Sequence, residues 1–186
     1  MGYTLVTPPA SYPVTLTEAK ANCRVDGTDE DTFLNGLIAA ATAHVESRTG
    51  RSIVERVFDV TYDAFADEMV IPVGAVLSVD EVAYLDTADA TQTLAESVYQ
   101  VDLTTEPHRI LRAPDASWPA TSDLKNAVTV TVTVGYDTVP AELKQAILLL
   151  IGAWYRNREA TALGKTPAEL PNAVNALLAN HRYYGF

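Results

Sequence analysis

From Pro140 to Glu159 the chain reads PAELKQAILLLIGAWYRNRE, and its apolar positions recur at three- and four-residue steps. Leu143, Ala146, Ile147, Leu150, Ile151, Trp154 and Tyr155 make one wide stripe, which predicts a helix. Pro140 suits the first helical position, where a backbone N–H has no partner anyway. Glu142 in the first turn and Arg156 and Arg158 in the last oppose the helix dipole. Leu148, Leu149, Gly152 and Ala153 lie off the stripe and are apolar or small as well, so the middle of this helix carries little polar surface. The run from Ala146 to Tyr155 is far shorter than the roughly 20 residues a membrane span requires. The stripe predicts a central core helix; the second face has the character of a contact with a neighbouring subunit.

The same periodicity predicts two earlier helices. Thr15-Leu16-Thr17-Glu18 has capping-box spacing, which predicts a short helix from Leu16 to about Arg24. After the turn Val25–Asp31, a second helix is expected from about Glu30 to Thr49, closed by Gly50. Phe33, Leu37, Ile38, Ala41 and Val45 share its predicted inner face, with Leu34 beside them. From Ile53 the period changes to two. Strands are expected within Ile53–Phe65, Met69–Val73, Leu77–Leu85, Thr91–Leu103, Pro107–Arg112 and Ala127–Asp137. In the last, Val128, Val130, Val132 and Val134 alternate with Thr129, Thr131 and Thr133. Asp86-Thr87-Ala88-Asp89 marks a hairpin turn. A final helix is expected from Asn172 to about Tyr183, with Val174, Leu177, Leu178 and His181 aligned.

These elements predict an α+β fold: a helical unit built from the N- and C-terminal segments, residues 15–52 and 138–186, with a small antiparallel β unit, 53–137, inserted. Residues 1–14 read as an extended arm, since Pro8, Pro9 and Pro13 forbid regular helix. The arm either folds on its own domain or reaches a neighbour.

Composition changes this picture at one place. The net charge of the 186 residues is −11, and from Val57 to His108 there are eleven acids and no Lys or Arg. A nucleic-acid grip needs basic side chains to neutralise phosphates, so this stretch argues against one. It suits a solvated face that keeps the protein soluble, a surface that repels DNA, or one that meets a basic partner. The opening MGYTLVTPPASYPV has no basic region followed by an apolar run, so no signal peptide is read there. Val6 stands where a myristoylation pattern requires Ser or Thr. Cys23 is the single cysteine, which leaves no intrachain disulfide and suits assembly in a reducing cytoplasm.

No catalytic or metal-ligating pattern emerges. His44, His108 and His181 fall in three different predicted elements without ligand spacing. Asp29, Glu30 and Asp31 favour a helix N-terminus and lack the spaced oxygens of a calcium loop. Neither a nucleophile elbow nor a phosphate loop is present. No cofactor and no enzyme activity are expected.

The motifs, taken in order, carry a resemblance. They are Leu16-x-Glu18-Ala19-Lys20, Arg24-Val25-Asp26 leading to Asp29-Glu30-Asp31, and Thr49-Gly50-Arg51. Then come Gly135-Tyr136, Pro140 before a helix, Trp154-Tyr155-x-Asn157-Arg158-Glu159, and Leu170-Pro171 before Val174-x-x-Leu177-Leu178. This set resembles the head–tail connector (adaptor) proteins of long-tailed bacteriophages and gene-transfer particles, along almost the whole chain. The acidic β middle is the least matched part.

The resemblance implies a structural protein of the virion neck, put together in the bacterial cytoplasm. It implies a homo-oligomeric ring, usually a dodecamer, beneath the portal protein. Such a ring extends the DNA channel, lets the genome pass without specific binding, and offers a platform to the next neck or tail protein. Leu148, Leu149, Gly152 and Arg156 are then the expected subunit interface. Arg182, Tyr183, Tyr184 and Phe186 are the expected portal-binding residues, in an acid-free tail whose aromatics are typical of interface hot spots. The same aromatics also suit a cap on the domain's own core. The alternatives are a tail-completion protein of the same neck, or a non-viral binding module or enzyme with an acidic β domain.

Overall fold

The computed structural model describes residues 2–158 and 172–183. It is α+β, and its residues separate into two compact units. One unit holds residues 2–10 and 55–137; the other holds 11–54 together with 138–158 and 172–183.

In the helical unit, α1 (Leu16–Cys23) starts on the expected capping box. The Thr15 N–H donates to Glu18 Oε2 at 2.9 Å, and the Glu18 N–H donates back to Thr15 Oγ1 at 3.3 Å. Arg24 ends the helix in the left-handed region, with φ 57°. α2 (Asp31–Thr49) ends on Gly50 at φ 67°, whose N–H donates to the Glu46 carbonyl at 2.8 Å. α3 (Ala141–Arg156) is the hub of the unit: it packs against α1, α2 and α4 (Asn172–Leu178). Leu143, Ala146, Ile147, Leu150 and Ile151 of α3 have no exposed surface. Burying five such side chains supplies on the order of 10 kcal/mol of hydrophobic stabilisation before ordering costs.

Three helical details differ from the sequence reading. Pro140 caps α3 rather than opening it, and Asn157 ends it two residues before Glu159 by donating its N–H and its side-chain amide to the Ala153 carbonyl. The last helix turns into a 3₁₀ segment at Ala179–His181 and is extended at Arg182. The buried stripe of α2 is Leu34, Ile38, Ala41, Thr42, Val45 and Thr49, whereas Phe33 is 39% exposed. Thr42 and Thr49 are tolerated inside because their hydroxyls donate to the carbonyls of Ile38 (2.8 Å) and Val45 (2.9 Å), one turn back.

The β unit has two sheets. The larger runs β1 (Gly2–Thr7), β2 (Arg56–Tyr62), β8 (Val128–Val134), β4 (Val76–Leu85), β5 (Thr91–Thr93); all its pairings are antiparallel. The smaller runs β3 (Glu68–Val70), β7 (Arg109–Arg112), β6 (Tyr99–Asp102). One core joins them: Val60, Val82, Val128, Val130, Val132 and Val134 of the large sheet cluster with Met69 and Ile110 of the small one. The alternation of β8 is the reason, since its valines are fully buried while its threonines face the other way, half-buried.

Of the two readings of the N-terminal arm, the first holds for its start: Gly2–Thr7 pairs with β2 as an edge strand of the same unit, ahead of Pro8 and Pro9. One expectation fails here. The single strand expected at Thr91–Leu103 is two strands in different sheets, split by a 3₁₀ turn at Glu96–Val98.

Candidate subunit and partner interface

The second face of α3 borders a groove. Leu148, Leu149 and Gly152 are half-buried, not sealed, and with Asn22, Cys23, Arg24, Tyr155 and Arg156 they line a depression of about 480 Å³ between α3 and the end of α1. All four residues of the expected subunit interface therefore lie on one surface. Asn22 ties the two helices together there, its Nδ2 donating to the Leu148 carbonyl at 2.8 Å. Glycine at 152 permits that approach: a Cβ would stand 3.1 Å from Asn22 Nδ2. Burial pushes the Cys23 thiol above its ordinary range, which favours the neutral form.

The rim is cationic. Among the described residues neither Arg24 nor Arg156 has a carboxylate within ion-pair distance; Arg156 Nε donates to its own helix at the Gly152 carbonyl, 3.2 Å away. Three neighbouring cations of this unit are engaged. Lys20 pairs with Asp31, and Lys144 with Glu18 at 2.5 Å. Arg158 pairs with Glu30 and lies over the rings of Tyr155 (4.4 Å) and Phe33 (4.7 Å). Tyr155 also donates its hydroxyl to Glu30, and this bond, with Arg158 beside it, holds the Glu30 carboxyl below the usual range. The exposed Phe33 is thus the floor of a guanidinium stack, which helical periodicity alone did not reveal.

The C-terminal residues divide. Tyr183 is held by its own domain: its N–H donates to the Thr49 carbonyl at 2.6 Å, its ring lies under Arg51 (5.8 Å), and its Cβ is within reach of Gly50. Arg51 Nε also donates to the His181 carbonyl at 2.8 Å. Val174 and Leu178 are buried. From Asn172 through Tyr183 the segment therefore packs on its own unit, and Tyr183 fits the reading of a cap on the domain's own core. Arg182 is exposed. Tyr184 and Phe186 lie outside the described residues.

Several acids of the β unit are engaged by neutral donors. Thr131 donates to Asp59 (2.7 Å), Thr133 to Asp80 (2.6 Å) and Thr93 to Glu81 (2.8 Å), all from the face opposite the core. Asp86 accepts from the Gln92 amide and from the N–H groups of Ala88 and Ala90, which holds its carboxyl below the usual range. Hydroxyls from Thr104 and Thr105 bring Asp102 down to about 2. Such donors fix the carboxylates as charged without cancelling their charge. By unit, residues 1–10 and 55–137 hold four Lys or Arg against fifteen Asp or Glu, whereas 11–54 and 138–183 hold nine of each. The whole net charge belongs to the β unit.

Among the described residues no cluster of His, Cys, Asp or Glu has the arrangement of a metal site, and no helix is long and apolar enough to cross a membrane.

Comparisons with known proteins give three findings. The family described as phage gp6-like head-tail connector protein matches residues 13–106 and 116–182. A chain from the neck of an empty GTA particle, computed with C6 symmetry, is similar at 24% identity with TM-score 0.79, covering 98% of this chain and 96% of that one. Chains from the virion of a native gene transfer agent particle (23%, TM-score 0.77) and from the neck of a native GTA particle computed with C12 symmetry (22%, TM-score 0.78) cover the same shares, 98% and 96%. At these identities the likeness carries the fold. A search of curated proteins returns no significant match.

Proposed function

The chain belongs to the phage gp6-like head-tail connector family, and from that premise we propose that twelve copies form a ring under the portal of a phage or gene-transfer particle. The observation that carries the reading is the half-exposed face of Leu148, Leu149 and Gly152, flanked by Arg24 and Arg156. A monomer gains nothing by leaving leucines beside guanidiniums that have no carboxylate partner among the described residues, and subunit association covers both. The similar neck chains come from particles computed with six- and twelve-fold symmetry, which supports the copy number.

The ring continues the DNA channel and gives the next neck or tail protein a platform. Its role is structural, and genome DNA passes without a specific grip, because the β unit carries the net negative charge. The portal contact falls to Arg182 and the residues that follow it, Tyr184 and Phe186. Tyr183 anchors this segment to α2 through the Thr49 carbonyl.

Co-sedimentation with capsids tests the reading. The purified chain is expected to sediment with portal-containing heads and not with portal-free shells, and to bring a mass twelve times the 20.1 kDa chain to each head. Equal binding to both kinds of shell overturns it.

A further inference from the structure

The groove between α1 and α3 has a complement elsewhere in the same sequence. Resting on the ring reading above, we infer that this groove in one copy receives the Ser122–Leu124 turn of the next copy's β unit, with Leu124 on Leu148 and Leu149 and Asp123 between Arg24 and Arg156.

The groove sets the requirements for its occupant. Its floor is apolar and its rim holds two guanidiniums with no carboxylate partner among the described residues. An occupant must therefore bring an exposed apolar side chain next to a free acid. The helical unit is neutral, with nine charges of each sign, so the surplus of acid lies in the β unit. Within that unit Leu124 is 53% exposed, the most exposed large aliphatic side chain among the described residues. It follows Asp123, which is exposed and has no ion-pair partner among the described residues. The Leu5 and Val6 side chains of β1 are also exposed, but no acid lies within that strand.

The turn is held in shape before it docks. The Ser122 N–H donates to the Leu85 carbonyl at 2.9 Å, its hydroxyl donates to Asp89 at 2.5 Å, and the Leu124 N–H donates back to Ser122 Oγ at 3.2 Å. Lys125 is drawn off to Asp63 at 2.7 Å, so it does not neutralise Asp123. Little order remains to be gained on binding, which favours affinity. Because the two surfaces are different patches of one chain, the contact is head-to-tail. It propagates from copy to copy and closes when the rotation permits, as a ring requires.

The single native cysteine lines the groove and supplies the test. In the full chain, Leu124→Cys under mild oxidation is expected to give a ladder of covalent dimers, trimers and larger species on non-reducing gels. The ladder should vanish in the Cys23→Ser background. In parallel, Asp123→Arg is expected to raise the concentration at which rings assemble by about tenfold or more, and Arg24→Asp with Arg156→Asp to do the same. Combining all three should restore assembly. Circular dichroism checks that each variant folds.

Rings that assemble normally, without a ladder and without charge-swap rescue, overturn this inference and leave the ring reading standing. A cross-link confined to single chains overturns it as well. Wild-type protein that forms no ring, alone or on portal-containing heads, overturns both.

Discussion

Replacing Gly152 by Glu separates a role in the fold from a role in assembly. The position lies on the half-buried face of α3, and a Cβ there would stand 3.1 Å from Asn22 Nδ2, so the Asn22 side chain must give way by a few tenths of an ångström. In doing so it weakens or loses its 2.8 Å bond to the Leu148 carbonyl, a loss of about 1 kcal/mol. Removing a glycine from a helix interior returns about 1 kcal/mol. The two nearly cancel, so the thermal midpoint should move by no more than about 2–4 °C. Assembly should respond very differently. The glutamate chain enters the groove, fills the place of an incoming side chain, and puts a carboxylate against Arg156 one turn on. Circular dichroism melts and multi-angle light scattering on the same samples read the two effects. The expected result is a folded monomer. Normal rings would refute the assignment of this face to the interface, and a protein that does not fold would refute the steric argument about Asn22.

Further outcomes follow from other contacts. Ile147→Ala, at a fully buried position, should cost about 2–5 kcal/mol in chemical unfolding, whereas Leu149→Ala should cost much less and chiefly affect assembly. Deleting Asn180–Phe186 removes the Tyr183–Thr49 bond and the Arg51 contact and should lower stability by about 1–3 kcal/mol, so an unchanged melting midpoint would contradict the docked position of Tyr183. The bond from Lys144, with those from Thr15, brings the Glu18 carboxyl down to about 2 from an ordinary 4.5. A depressed carboxylate stabilises the fold above its ordinary value and loses that contribution as pH falls through the lowered one. Glu18→Gln should therefore be less stable than wild type near neutrality, and the gap should close between about pH 4.5 and pH 2 in a series of denaturant titrations.

Where one strong signal governed a segment, the fold was legible from the residues. The valine–threonine alternation of β8, the Thr15–Glu18 box and the Gly50 stop all operate over a few residues and need no partner elsewhere. The misses share a different cause. Thr42 and Thr49 look polar in a sequence, yet each returns its hydroxyl to the preceding turn, so the true stripe of α2 runs through them and Phe33 is left outside. Gly2–Thr7 became a strand because β2 lies open beside it, a pairing across more than fifty residues that no local pattern announces. Strand formers lie on both sides of Ala95-Glu96-Ser97 between Thr91 and Leu103, and the 3₁₀ turn at Glu96–Val98 sends the two halves into separate sheets. At the candidate interface, α3 alone pointed to Leu148, Leu149 and Gly152. The contribution of Asn22, Cys23 and Arg24 depended on where α1 ends, with Arg24 turned into the left-handed region.

Cryo-electron microscopy of portal-containing capsids incubated with the purified chain addresses the central claim most directly. The account predicts a ring of density below the portal at one vertex, resolvable with twelve-fold symmetry, into which the helical unit fits with α3 at the boundary between neighbouring copies. A bare portal vertex in capsids that bind the chain elsewhere, or a ring whose subunit boundaries leave the Leu148–Gly152 face in solvent, would contradict it.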